Sequence, residues 1–331
     1  MVSPVGTSPI LALDLGGTKF AAGVVDHTGT VLAADRVATP YGPSADAEAL
    51  WVALCSVIDR VLACASEATG GAVSETSIDG VGVGCGGPMT WPAGEVSPLN
   101  IPAWRSFPLR ARLAARFPDK PVRLHNDAIC AVIGEHWLGA GRGHDNLMGM
   151  VVSTGVGGGL ILGGHAIDGA TGNAGHVGHI VVVPGGQSCG CGGHGCVEAE
   201  TRGPRVAEWA VRHGWQAPAG TADHPSARDL ADDARAGDPV AREAFERAGR
   251  LLGLGIASAV ALVDIDLVTI GGGLSQAGPL LFDPLHRSYA EHARIYYAKE
   301  VPIIPAALDQ QAGLVGAAAL LAKGERYWSA D

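Results

Sequence analysis

The sequence predicts an α/β protein of two lobes with related topology. Two observations predict it. Apolar strand-like runs alternate with helical patterns along the 331 residues. A strand, a glycine-rich corner and a returning strand also occur twice, at residues 14–19 and 154–159, 140 positions apart. The length accommodates two lobes of roughly 150 residues each.

Each element has its own signal. Pro9 to Leu13 is an apolar run that reads as a buried strand, and Phe20 to Val25 and Thr30 to Arg36 follow as a meander. Residues 45–67 place Leu50, Leu54, Val57, Ile58, Val61 and Leu62 at helical spacing. Ile78 to Cys85 reads as a strand ending in Gly86-Gly87-Pro88. The Pro- and Trp-rich stretch 89–108 reads as a loop. A helix at 109–117, a strand at 122–125 and a helix from Asn126-Asp127 to about Trp137 come next. Leu147 to Ser153 is a strand, 154–159 a glycine turn and 160–162 the returning strand. Residues 170–200, dense in His, Gly and Cys, read as loops. From Ala207 the pattern is mostly helical, with a strand at 267–270 before Gly271-Gly272-Gly273. A last helix near 312–324 is expected to return to the first lobe. These boundaries give a small lobe of 1–125 plus 312–331 and a large lobe of 126–311, with a special loop at about 176–200.

Composition narrows the function. Apolar residues make up 47 % of the chain, enough for a sizeable core, so an ordered chain is expected. The net charge of −10, without a long basic run, argues against nucleic acid and against an anionic membrane surface as partners. The opening Met1-Val2-Ser3-Pro4-Val5-Gly6 lacks the basic and apolar regions of a secretory signal. The apolar stretch Leu251 to Ile270 is broken by Asp264 and Asp266, so no membrane span is expected. Seven cysteines, three of them within Cys189–Cys196, read as metal binding in a reducing, cytoplasmic compartment.

Glycine, at 49 residues, is clustered where backbone must approach something closely. In Asp14-Leu15-Gly16-Gly17-Thr18-Lys19 the glycines allow N–H groups to converge on phosphate oxygens. Thr18 adds a hydroxyl, and Asp14 suits magnesium. No helix follows the glycines, so this is neither a Walker A loop nor a Rossmann fingerprint; a tight turn with a satisfied Asp is the plainer reading. Thr154-Gly155 opens a second corner and Gly271-Gly272-Gly273 forms a third. Together the three fit a nucleotide such as ATP between two lobes.

His179, Cys189, Cys191 and Cys196 offer one nitrogen and three sulfurs within eighteen positions, a set suited to tetrahedral structural zinc. His194 is a rival ligand. Asn126-Asp127, between a strand and a helix, suits an N-cap. It also suits a base, Asp127, that takes the proton of an attacking hydroxyl while Asn126 holds a neighbouring one.

These motifs resemble the ROK family of sugar kinases and related repressors over nearly the whole chain. The resemblance runs through Asp14–Lys19, Pro98-Leu99-Asn100-Ile101-Pro102-Ala103-Trp104, Asn126-Asp127-Ala128 and Gly155–Gly159. It continues through Gly178-His179, the Cys189–Glu198 block, Gly271–Gly273 and Ala312–Ala318. It implies an actin-like ATPase (ribonuclease-H-like) fold whose lobes close over ATP and a sugar. It further implies Asp127 as catalytic base, zinc shaping the sugar site, and Gly87, Asn100, Asn126, His179 and Glu198 as sugar contacts. Asp14, Gly16, Gly17, Thr18, Lys19, Thr154, Gly155 and Gly271–Gly273 would serve ATP and magnesium. It also implies a homodimer or a dimer of dimers.

One position departs from the glucokinases of the family. They carry Glu-x-Gly-His where this chain has His176-Val177-Gly178-His179. A carboxylate only accepts hydrogen bonds, whereas a neutral imidazole donates one and accepts one. The His-x-Gly-His pattern is similar to that of bacterial N-acetylmannosamine kinases. The family thus implies a hexose 6-kinase, with glucose as the default and an N-acylmannosamine or a glucose-like cyclitol as alternatives. Arg202 stands where the family often has Ser. A sugar-responsive repressor is disfavoured, because the first corner begins at residue 14 and leaves no room for a helix-turn-helix ahead of it. A catalytically dead sugar-binding protein is disfavoured by the intact Asp127 and glycine corners.

Overall fold

The computed structural model describes residues 8–42, 45–218 and 226–329. The chain forms two compact units. The first comprises Met1–Asp145, Gly159–Ala174 and Gln310–Asp331, and the second Asn146–Gly158 and Gly175–Asp309.

In the first unit, β1 (Ile10–Leu15), β2 (Lys19–Val25) and β3 (Val31–Ala38) form the expected meander. Helix α1 (Ala47–Ala68) follows, capped at Asp46, whose carboxylate accepts the Ala49 N–H. Strand β4 (Val81–Cys85) leads into the 89–108 segment, which holds a two-stranded ribbon of β5 (Met89–Thr90) and β6 (Glu95–Val96). Then come α2 (Leu109–Arg116), β7 (Val122–Asn126) and α3 (Asp127–Leu138). The sheet order is β3-β2-β1-β4-β7, with β1, β4 and β7 parallel. Helix α1 is long and apolar enough, by length and composition, to cross a membrane. Its face of Leu50, Leu54, Val57, Ile58 and Val61 is buried in the core cluster, which makes it a core helix.

The second sheet contains β8 (Leu147–Val152), β9 (Val156–Leu162) and β10 (His165–Ala166), and the chain passes between units inside β9. Short helix α4 (Val197–Thr201) is followed by α5 (Gly203–Arg212), α6 (Ala227–Ala236) and α7 (Pro239–Val263). Strand β11 (Leu267–Gly271), α8 (Pro279–His292), β12 (Ile303–Pro305) and α9 (Ala312–Ala322) complete the order. The sheet runs β10-β9-β8-β11-β12, with β11 parallel to both β8 and β12. Helix α7 packs on α8 through Gly249 and Gly253, where a Cβ would come within 2.5 Å of the Leu281 and Leu285 carbonyls.

One expectation changes. Gly157, Gly158 and Gly159 belong to strand β9, not to a turn. They serve packing: a Cβ at Gly158 would come 2.4 Å from Val177 and 2.7 Å from the Gly149 carbonyl. Residues 126–145 group with the first unit. The cause is α3, which lies backbone to backbone on α9: a Cβ at Gly134 would sit 2.4 Å from the Ala312 carbonyl.

Candidate functional site

In the first unit, the parallel strands β1, β4 and β7 present their C-terminal ends side by side, with Asp14 paired to Gly84 and Cys85 to Asn126. Asp14 therefore stands on the same sheet edge as the Asn126-Asp127 junction. Asn126 is the N-cap of α3: its Oδ1 accepts the Ala128 N–H at 3.0 Å and the Ile129 N–H at 3.4 Å. The capping reading of Asn126 is thus correct, and it leaves the side-chain NH2 as the group for other partners. Asp127 is the first helical residue. Its Oδ1 accepts the Ala128 N–H at 2.8 Å, and Oδ2 makes no hydrogen bond among the described residues.

Enclosure by protein raises the Asp127 carboxyl to about 7, and the negative charge of Asp14 adds to the rise against the N–H bonds at the helix start. Desolvation also raises the Asp14 carboxyl, with Lys19 opposing. Asp14 is crowded by α9, because a Cβ on Gly313 would come 2.7 Å from its carboxyl carbon. No hydrogen bond reaches its oxygens among the described residues, which suits a carboxylate reserved for a cation.

The first glycine corner is closed by the Gly16 N–H to the Lys19 carbonyl, 3.0 Å. Thr39, unforeseen from the sequence, donates its hydroxyl to the Gly16 carbonyl at 2.8 Å. Asn100 lies against this corner. A Cβ at Gly17 would stand 2.7 Å from both Cβ and the backbone oxygen of Asn100, and one at Gly86 would stand 3.0 Å from its Oδ1. Gly17 is therefore required by the close approach of Asn100, whatever else its N–H does. Thr18 is exposed and Lys19 half-buried.

In the second unit, the corner after β8 is closed by the Ser153 N–H to the Gly155 carbonyl, 2.8 Å. The third corner adjoins it. Gly272, at a φ of +92°, would place a Cβ 2.4 Å from the Val152 carbonyl, and Gly273 faces the Ser153 hydroxyl. Thr154, Gly155 and Gly271–Gly273 thus meet at one sheet edge. Glu198, at the start of α4, accepts the Val156 N–H through Oε2 at 2.9 Å. Its Oε1 is 4.0 Å from the Cys189 sulfur. One carboxylate joins the glycine corner to the cysteine loop.

The ligand atoms of His179, Cys189, Cys191 and Cys196 all lie within 4.8 Å of one another. Cys189 Sγ is 3.6 Å from His179 Nδ1, and the sulfurs of Cys191 and Cys196 are 3.9 Å apart. Zinc bonds of about 2.0–2.3 Å in a tetrahedron place ligands roughly 3.3–3.8 Å apart, so the donor set fits that ion. His194, the rival, is exposed and outside this group. Gly178 is dictated by the Val156 carbonyl, 1.9 Å from where its Cβ would be. The rings of His176 and His179 are 6.0 Å apart and nearly parallel.

Sequence reasoning missed the support of this loop. Glu200 is buried, accepts the Gln187 N–H at 2.7 Å and pairs with Arg247. Its place two residues after Glu198 was visible; its partner 47 positions later was not. Arg202, whose presence the sequence left unexplained, precedes α5, and nothing in the structure accounts for it.

The fold is that of the actin-like ATPases. Within that class the chain belongs to the ROK family, whose model matches residues 10–324. It is 35 % identical over 321 residues to a glucokinase of Streptomyces coelicolor, covering 94 % of this chain and 96 % of that one. It is 32 % identical over 308 residues to an N-acetylmannosamine kinase of Yersinia pseudotuberculosis, covering 93 % and 96 %. Among solved structures it is similar to a ROK family glucokinase from Streptomyces griseus in complex with glucose and AMPPNP. That likeness has 35 % identity and a TM-score of 0.80, covering 96 % of this chain and all of that one.

Proposed function

We propose that the protein is an ATP-dependent hexose kinase, with glucose as the default substrate and its 6-hydroxyl as the acceptor. The observation that carries this reading is Asp127. Its Oδ2 makes no hydrogen bond among the described residues, its partly open carboxyl is raised to about 7, and it stands on the same strand edge as Asp14 in a ROK chain. A carboxylate so tuned is poised to accept a proton near neutral pH.

Asp127 Oδ2 takes the proton of the sugar hydroxyl as its oxygen bonds to the γ-phosphorus of ATP. The bond from that phosphorus to the bridging oxygen breaks, and ADP leaves with the electron pair. Magnesium, when bound, neutralises phosphate charge, and Asp14 is the residue offered to hold it. In the first unit, Gly16, Gly17, Thr18 and Lys19 are assigned to phosphate. Gly87, Asn100 and the Asn126 NH2 are assigned to the sugar. In the second unit, Thr154, Gly155 and Gly271–Gly273 are assigned to the nucleotide, and His176, His179 and Glu198 to sugar hydroxyls. Zinc on His179 Nδ1, Cys189, Cys191 and Cys196 would fix the loop and leave His179 Nε2 for substrate. A cytoplasmic homodimer or dimer of dimers, binding neither nucleic acid nor membrane, completes the proposal.

A second reading, an N-acylmannosamine kinase, is favoured by His176, which replaces an acceptor-only carboxylate with a ring able to donate. The test is ADP release with Mg-ATP across glucose, mannose, N-acetylglucosamine and N-acetylmannosamine. Turnover centred on glucose is expected. Turnover confined to N-acetylmannosamine selects the second reading, and silence on all four rejects both.

A further inference from the structure

His125 directly precedes Asn126-Asp127, and its side chain is fully buried. Strand β7 is the edge of its sheet, with no strand beyond it among the described residues. The N–H of its last residue, Asn126, takes an imidazole in place of a strand and donates to His125 Nδ1 at 2.8 Å. A backbone N–H can only donate, so Nδ1 carries the lone pair and Nε2 carries the proton. Nε2 lies 2.8 Å from Asp168 Oδ1, which can only accept. The other Asp168 oxygen accepts the Ser329 hydroxyl. Although burial pushes the Asp168 carboxyl up, the bonds from His125 and Ser329 outweigh it and hold the group below its usual range. The direction of every bond in this chain is therefore determined.

Aromatic rings enclose the His125 end of it, while Ser329 at the other end is exposed. Trp91 covers the His125 ring at 4.8 Å between centroids and meets Trp328 edge-on at 4.5 Å. Gly172 permits this, since a Cβ there would come 2.5 Å from that of Trp91. All these residues belong to the first unit.

We propose that His125 and Asp168 are positioning residues: they fix the backbone at Asn126 and, through it, the aim of the Asp127 carboxylate. The proposal rests on Asp127 being the base. Asn126 is held from both sides, by His125 on its N–H and by α3 on its Oδ1, so the next residue has little freedom. A catalytic group displaced by about 1 Å loses up to roughly 100-fold in rate. Removing the anchor is expected to act on turnover and on sugar binding, not on ATP.

The test compares Asp168→Ala with Asp168→Asn in the full chain, reading kcat, the KM values for hexose and ATP, and the thermal midpoint. Asp168→Ala should lower kcat about 10- to 100-fold per folded molecule with the KM for ATP unchanged. Asp168→Asn keeps an acceptor oxygen for His125 and should recover most of the loss. A kcat in Asp168→Ala equal to the parent's would overturn the proposal, as would an Asn variant no better than the Ala one. Nitrogen NMR of the His125 ring gives a readout independent of the kinase reading. A proton on Nε2 supports the relay and a proton on Nδ1 refutes it. Asp127→Asn separates the two ideas: unimpaired turnover there defeats the base assignment, while the tautomer still reports on the hydrogen bonds.

Discussion

The two glycine corners share a pattern and differ in what closes them. At 14–19 the corner is pressed by Asn100, through its backbone oxygen and through Cβ and Cγ alike. At 153–156 it is tied by the side chain of Glu198, whose other oxygen faces the cysteine loop. One corner is set by the body of Asn100, main chain and side chain together, the other by a carboxylate that also faces the His–Cys cluster. The same local sequence signal thus gives a rigid contact in one unit and, in the other, a contact coupled to a ligand set.

The largest expected effect falls on the first unit alone. Asp127→Asn should lower kcat by about 10²- to 10⁴-fold while sugar affinity persists, measured by turnover and by calorimetry with the hexose. Turnover close to the parent's would remove Asp127 from the role of base.

Next comes the metal on the side of Glu198. The parent should carry about one zinc per chain, and Cys191→Ser should lose it, by elemental analysis, with a lowered thermal midpoint and weakened sugar binding. A metal-free parent with full activity would break the link between the second corner and the cysteine loop.

A matched pair of substitutions sharpens the contrast between corners. Gly17→Ala drives a methyl into the Asn100 backbone and should cost about 1–3 kcal/mol in stability, read by denaturant unfolding. Gly155→Ala meets only the tip of Glu198, at 2.9 Å, and should cost less, showing itself chiefly in the sugar KM. Equal losses at the two sites would mean that the corners do not differ in kind.

A further effect is on pH. The Asp127 carboxyl is raised to about 7 in the folded chain, against an ordinary value near 4. Between those values the folded state keeps a proton that the unfolded chain has released. Stability therefore falls as pH rises from about 4 to 7 and is level in this respect above. Catalysis runs the other way, since the base must be ionised, so kcat/KM should rise through an apparent pKa near 7. A Asp127→Asn variant should unfold at a higher temperature than the parent at pH 8. A lower midpoint would contradict the burial penalty.

Much of the candidate site was legible because short motifs carry it. Asp14–Lys19, Asn126-Asp127 and the Cys189–Cys196 block each hold their chemistry within a few positions, and the strand–helix alternation located most of the sheets. What was not legible depends on distance. Gly157–Gly159 read as a turn because glycine signals both turns and tight packing, and only the neighbours Val177 and Gly149 decide between them. The β5–β6 ribbon has two residues per strand, too few for a period. Asp168 and Arg247 lie 43 and 47 positions from the residues they brace, with no local pattern to announce them.

The first unit is also discontinuous along the chain, and that bears on how it is made. Helix α9 lies on β1 and β4 and on helix α3, with Gly316 placed where a Cβ would meet the Cys130 carbonyl at 1.6 Å. The ribosome delivers α9 only after everything from residue 10 to residue 305 has emerged. Until then one face of the nascent sheet has no cover, and the helix that begins at Asp127 has no surface to settle on. The second unit has all its strands and helices by Pro305 and is free to mature earlier. Synthesis therefore leaves the first unit, which carries the proposed base Asp127, unfinished until its last helix arrives.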